Sequence, residues 1–218
     1  RIAVLLSLLS AAAMVVSAQG PTGTYGSGIS CVNLESEDAS IQIDFYDDDG
    51  DVVRTISDSI TAGGNVMYYT PSMTEIPDGF LGSAVVSSDV PVACSVNTQT
   101  STGTTRVGTS NGLGAADTGP MLYAPQVMND LGGFSSYVAV QNAGSSAVNV
   151  EATYYDSLGA EAYDTTVSIE ANSSHVFYQD EPGVLPTDFI GSATFEAADG
   201  TTPLAGTVTQ MGIPTLPR

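Results

Sequence analysis

The chain has 218 residues, no lysine, four arginines against 24 Asp plus Glu, and a formal net charge of −20 at pH 7. Such a surface repels nucleic-acid phosphates and anionic lipid headgroups, which excludes both as partners, and it supplies solubility or tolerance of a salty medium. Behind a leader, about 200 residues remain, which suits two domains of about 100 residues with a modest core each.

In chain order, Ile2–Ala18 is an uncharged apolar run behind Arg1 that ends in Val16-Ser17-Ala18. Its length and small-residue end read as a secretory signal over 1–18, or as an N-terminal anchor if it is retained. Short alternating segments then follow one another: Gly28–Asn33, Ser40–Asp47, Asp51–Ser57, Asn65–Thr70, Gly82–Ser87 and Val92–Thr98. In Ser40–Asp47, Ile41, Ile43 and Phe45 alternate with Gln42, Asp44 and Tyr46. Period two marks a half-buried strand, and six such segments with no 3.6-residue period predict an antiparallel sandwich over 19–99.

Gln99–Pro120 is rich in Gly, Ser and Thr, so 100–120 is expected to be a linker. Met121–Met128 is an apolar run with Pro125, which predicts an extra strand with the proline at an edge or bend. It leads into Ser135–Asn142, Val148–Asp156, Ala160–Ser168, Ser173–Gln179, Gly191–Ala197 and Pro203–Gln210, giving a second sandwich over 121–218.

The second set repeats the first. Phe80-Leu81-Gly82-Ser83-Ala84 returns as Phe189-Ile190-Gly191-Ser192-Ala193, 109 positions later, and the same offset pairs Tyr46 with Tyr155, Asp47 with Asp156, Gly50 with Gly159 and Pro77 with Pro186. An internal duplication is the simplest source of such a constant offset. The strand Met121–Met128 has its counterpart inside the leader, so the first copy would lack an edge strand after processing. An unpaired edge invites strand addition, and the tail, with Met211, Ile213 and Leu216, is the candidate donor from another copy. Head-to-tail contacts of that kind propagate into filaments.

Cys31 and Cys94 stand on the apolar faces of the first and last strands of copy one, opposite Val140 and Gly206 in copy two. They are expected to form a disulfide. Two thiols and the distant His175 make a poor metal set. Asp47, Asp49 and Asp51 could offer oxygens to calcium, but glycine stands fourth and copy two keeps only the first Asp and the Gly, the pattern of a turn held for its geometry. Asn172-Ser173-Ser174 is a glycosylation sequon on an expected exposed turn. Tyr46 and Tyr155 hold equivalent outward positions, where they could stack on sugars or simply cover the sheet. Gly108–Gly112 matches G-x-S-x-G without the strand and helix that a nucleophile elbow needs, and Asp117-Thr118-Gly119 has no second copy with which to share a proton.

The hairpin Phe45-Tyr46-Asp47-x-x-Gly50, the stretch Pro77-x-x-Phe80-Leu81-Gly82-Ser83-Ala84, and Pro91-Val92-Ala93 with Asn97 resemble tandem immunoglobulin-like repeats of secreted bacterial cell-surface proteins. The resemblance implies two extracellular β-sandwich modules and transfers no catalytic residue. The expectation is an all-β, non-enzymatic, secreted or cell-surface structural protein without a cofactor, free of the membrane after signal cleavage, whose partners are copies of itself. The alternative is an adhesive module that binds carbohydrate or another surface ligand through its tyrosines.

Overall fold

The computed structural model describes residues 10–14, 25–77, 80, 82–100 and 107–212. Regular structure among them is antiparallel β apart from two short 3-10 turns. The chain forms two compact units, residues 1–118 and 119–218.

In unit 1, β1 (Ser10–Met14), β6 (Gly82–Ser88), β3 (Ala39–Tyr46) and β4 (Val52–Ile60) pair in that order. The second sheet runs β5 (Asn65–Tyr69), β2 (Tyr25–Asn33), β7 (Val92–Thr100), β8 (Val107–Asn111). The inward rows of both sheets meet in one core, with Ile41, Ile43 and Phe45 of β3 and Val86 of β6 packed with Ile29 of β2 and Val96 of β7. That contact between the layers makes the unit a sandwich.

Unit 2 repeats the plan. β12 (Glu161–Ile169), β11 (Val148–Asp156), β14 (Phe189–Ala197) and β9 (Met121–Asn129) form one sheet, and β13 (Ser174–Tyr178), β10 (Phe134–Asn142) and β15 (Leu204–Gly212) the other. Val150, Ala152, Tyr154 and Phe195 pack with Val138, Val140 and Phe177. Tyr154, where unit 1 has Phe45, is buried, and burial pushes its hydroxyl pKa up to about 12. Its oxygen accepts a hydrogen bond from the buried Gln179 side chain at 3.2 Å.

The 109-residue offset holds in three dimensions. Ile43 faces Val86 as Ala152 faces Phe195, and both hairpins carry a bulge at the same place, Phe45/Tyr46 and Tyr154/Tyr155. Asn33 and Asn142 make matching buried nodes: each side-chain amide donates to the carbonyl that ends the fourth strand of its unit, Ile60 at 3.1 Å and Ile169 at 2.9 Å. Each Oδ1 accepts from the N–H two residues on.

Three expectations change. The stretch 100–120 is not all linker, because Val107–Asn111 adds β8 to β7, with the Thr109 hydroxyl donating to Asn97 at 2.7 Å. The strand order is not that of an immunoglobulin sandwich, where the first strand lies beside the second and the last beside the sixth. Here the first strand of each unit lies on the sixth (β1 on β6, β9 on β14) and the seventh on the second (β7 on β2, β15 on β10). The pairings of second with fifth and third with sixth strand remain. Finally, Ser10–Met14, inside the expected leader, forms the edge strand β1. The remainder of that leader lies outside the described residues.

The recurrent Phe-x-Gly-Ser-Ala stretch has a steric cause. At Gly82 and Gly191 the backbone runs so close to the Tyr46 or Tyr155 carbonyl, and to the ring of Phe80 or Phe189, that a Cβ would overlap both. Because the obstacle includes backbone, it cannot turn aside. Gly191→Ala is expected to destabilise unit 2 by about 1–3 kcal/mol, seen as a lowered unfolding midpoint, while alanine at Gly159, where nothing lies within 4 Å of the new Cβ, acts only through its positive φ.

The β14–β15 turn is held by a carboxylate. Asp199 accepts from the Thr202 hydroxyl at 2.6 Å and from the Thr201 and Thr202 N–H groups at 2.8 Å. These bonds, the hydroxyl's foremost, hold its pKa down to about 2. A carboxyl depressed in the folded state supports folding above its ordinary value and loses that support as pH falls toward the folded one. NMR titration should place the Asp199 midpoint near 2, and Thr202→Ala should move it up toward the usual carboxylate range.

Candidate functional site

The feature that separates the two units is the strand on the outer edge of the sixth strand. On β14 this is β9, nine residues long, with Phe189 opposite Asn129 and Glu196 opposite Met121. Its register slips between Gly191 and Ala193, and Pro125 sits at that irregularity, as a proline that cannot donate must at an edge. On β6 the same place holds β1, five residues long, with Ser10 opposite Val86 and Met14 opposite Gly82. β6 itself carries no charge and no proline.

Beside this edge the two cores close differently. Cys31 and Cys94 are bonded and buried, on directly paired positions of β2 and β7. The same ladder position in unit 2 is Val140 opposite Gly206. A Cβ at Gly206 would stand 2.8 Å from Leu122 Cδ1 and 3.3 Å from the Ala139 carbonyl oxygen, so β9's Leu122 occupies the space a side chain would need. The sequence shows a cysteine aligned with a glycine but does not reveal that a leucine from a third strand fills the gap. A disulfide of this kind indicates an oxidising, non-cytoplasmic environment.

The other sequence candidates are placed as follows. Asp47 Oδ1 accepts from the Asp51 N–H at 2.8 Å, and Gly50 has φ 83°; Asp156 does the same for Ala160, with Gly159 at φ 84°. The shared Asp and Gly therefore build a turn. Among the described residues, no group of three or more His, Cys, Asp or Glu is placed to hold a metal. Tyr46 and Tyr155 are half-buried, and burial with the nearby Asp44 carboxylate raises the Tyr46 pKa. The most open tyrosine among the described residues is Tyr123, 72% exposed on β9, which alternation in a proline-broken run did not single out.

Asn172 lies on a turn with φ 62°, but the turn is less open than expected: Asn172 is half-exposed, its carbonyl accepts from Gln141 at 2.9 Å, and Ser173 and Ser174 are buried. The turn is drawn in because Gln141 of the neighbouring strand reaches across to it. His175 packs edge-on against Phe177 within β13. Ser110 lies inside β8 rather than at a strand-to-helix turn, and Asp117 accepts from the Gly114 N–H in a 3-10 turn. Met211 pairs with Ser135 in β15 and is not part of a free tail; Ile213 and Leu216 lie outside the described residues. A cleft of about 610 Å³ in unit 2, between Asn129 and Thr187, gathers Asp130, Asp180 and Glu181 and does not include His175. Among the described residues no helix is long and apolar enough to cross a membrane.

Removing the disulfide should unfold unit 1 selectively. Its 63-residue separation corresponds to about 4 kcal/mol in the chain-entropy account. Cys31→Ala/Cys94→Ala should shift the unfolding of unit 1 by that order and leave unit 2 in place, as residue-resolved hydrogen exchange would record.

Comparison with curated proteins gives no match. The profile of a family of unknown function, DUF5719, matches residues 26–178, from β2 through β13 and across both units, and the chain belongs to that family.

Proposed function

We propose that the protein is an exported, non-enzymatic structural component of the cell surface, built by duplication of one β-sandwich unit, which assembles by accepting a strand from a second copy at the edge of β6. The observation that carries this is the occupant of that edge: a five-residue strand drawn from the segment that reads as a leader. Removal of residues 1–18 would leave β6 with a row of unpaired N–H and C=O groups, a template for strand addition. The donor is the tail of a second copy, narrowed to 213–218 because Met211 and Gly212 belong to β15. Its prolines are no bar in principle, since β9 carries Pro125 at the equivalent edge.

A second reading, an adhesive module for carbohydrate, is favoured by Tyr123, whose ring is open to solvent on the same sheet as Tyr155. It would give a stable monomer that gains thermal stability with a glycan.

Three forms separate these readings: 1–218, 19–218, and 19–212. The 19–218 form is expected to assemble into filaments visible by electron microscopy, whereas 1–218, with its edge covered, and 19–212, without the donor, stay monomeric. Identical behaviour of all three would remove strand donation and leave the glycan arm.

A further inference from the structure

The space beside the edge strand dictates which strand each edge takes. In unit 2, Leu122 pairs opposite Phe195 and lies against Gly206, and the absence of a side chain at 206 makes room for it. In unit 1, Val86 holds the place of Phe195, Cys94 the place of Gly206, and the residue opposite Val86 is Ser10. Cys94, at the ladder position of Gly206, is buried and carries a Cβ and a bonded sulfur where the glycine has no side chain. A close-packed core does not absorb a leucine's extra atoms beside them without strain.

We propose that the β6 edge is a strand-accepting site whose selectivity is set by the Cys31–Cys94 disulfide: it takes, from a second copy of this chain, a strand that presents a small residue opposite Val86, and it rejects one that presents leucine there. This rests on the strand exchange proposed above and names its specificity. The competitor that makes such a filter necessary is the chain's own β9. β6 and β14 share the Gly-Ser-Ala segment, the close glycine approach and the ladder to the third strand, so the backbone offers β9 the same pairing on either edge. The ladder to β9 slips once where the ladder to β1 is continuous, and the volume under one side chain differs as well. Discrimination by a clash against the wrong partner is a general route to specificity.

The test is a mutant cycle in the full chain, read by hydrogen exchange of the amides on the outer edge of β6. Ser10→Leu should speed their exchange about tenfold or more when the disulfide is present. In the Cys31→Val/Cys94→Gly background, which gives unit 1 the Val–Gly pair of unit 2, Ser10→Leu should slow exchange relative to its own parent. An equal effect in both backgrounds would overturn the proposal. Because loss of the disulfide can unfold unit 1, the same rule is read in unit 2: Gly206→Ala should speed exchange at the outer edge of β14 in the wild type and leave it unchanged in a Leu122→Ser chain, and equal acceleration in both would refute it. Assembly is not read by either cycle. Reversed signs in a chain that never oligomerises would keep the selectivity and discard strand donation, whereas filaments without the reversal would do the opposite.

Discussion

The contact between the two sheets at the end of the edge strand governs each unit, because that is where a sandwich must be closed by something other than its own paired strands. Unit 2 closes it with Leu122 laid over Gly206. Unit 1 instead carries, at the matching ladder position, a covalent bond within one sheet, between the paired strands β2 and β7. The magnitudes are comparable: burying a leucine is worth about 1.5–3 kcal/mol, and a disulfide over a loop of this length about 4 kcal/mol. The two devices differ in kind, and unit 1 carries an edge strand of five residues where unit 2 carries nine.

What recurs between the units is what the backbone cannot change. Gly82 and Gly191 are fixed by a carbonyl that leaves no room for a Cβ, Asn33 and Asn142 by carbonyls at strand ends that need a buried donor, Asp47 and Asp156 by an N–H in a turn that closes over a positive-φ glycine. Between these points the packing drifts, as in the exchange of Phe45 for Tyr154. The tyrosine hydroxyl is accompanied by Gln179, where unit 1 has Thr70, so the buried polar atom has a partner. The outward rows took up the acidic residues. Arg54 pairs with Glu75.

Strand positions were largely legible in the sequence, since alternation at period two reports which residues face inward; β11 begins and ends where the pattern does. Alternation says nothing about which strand lies beside which, and so the exchange of first and seventh strands relative to the immunoglobulin order was invisible. β8 was hidden because Gly108, Thr109 and Ser110 read as linker, while its order comes from the ladder to β7. The disulfide was legible from two cysteines on the apolar faces of what the sequence marks as the first and last strands of one unit. The edge site was half legible: the offset located a missing counterpart for β9, but an apolar run of small residues looks the same as a leader and as a strand, and only its pairing with β6 separates the two uses.

Edge strands are where sheet proteins guard against unwanted pairing, by charge, proline, bulge or brevity. β4 presents Arg54 and Asp58, β12 Glu161 and Asp164, and β9 a proline at a bulge. β5 has five residues and runs into a 3-10 turn at Pro71. β14, the strand beneath β9, keeps Glu196 within its own length; β6, beneath β1, reads Gly-Ser-Ala-Val-Val-Ser-Ser and has none of these devices. Its guard is β1 itself. Among the described strands of that sheet, β3 and β4 carry charges, whereas β6 and the five-residue β1 that covers it carry none, so the protection of this edge rests on pairing alone.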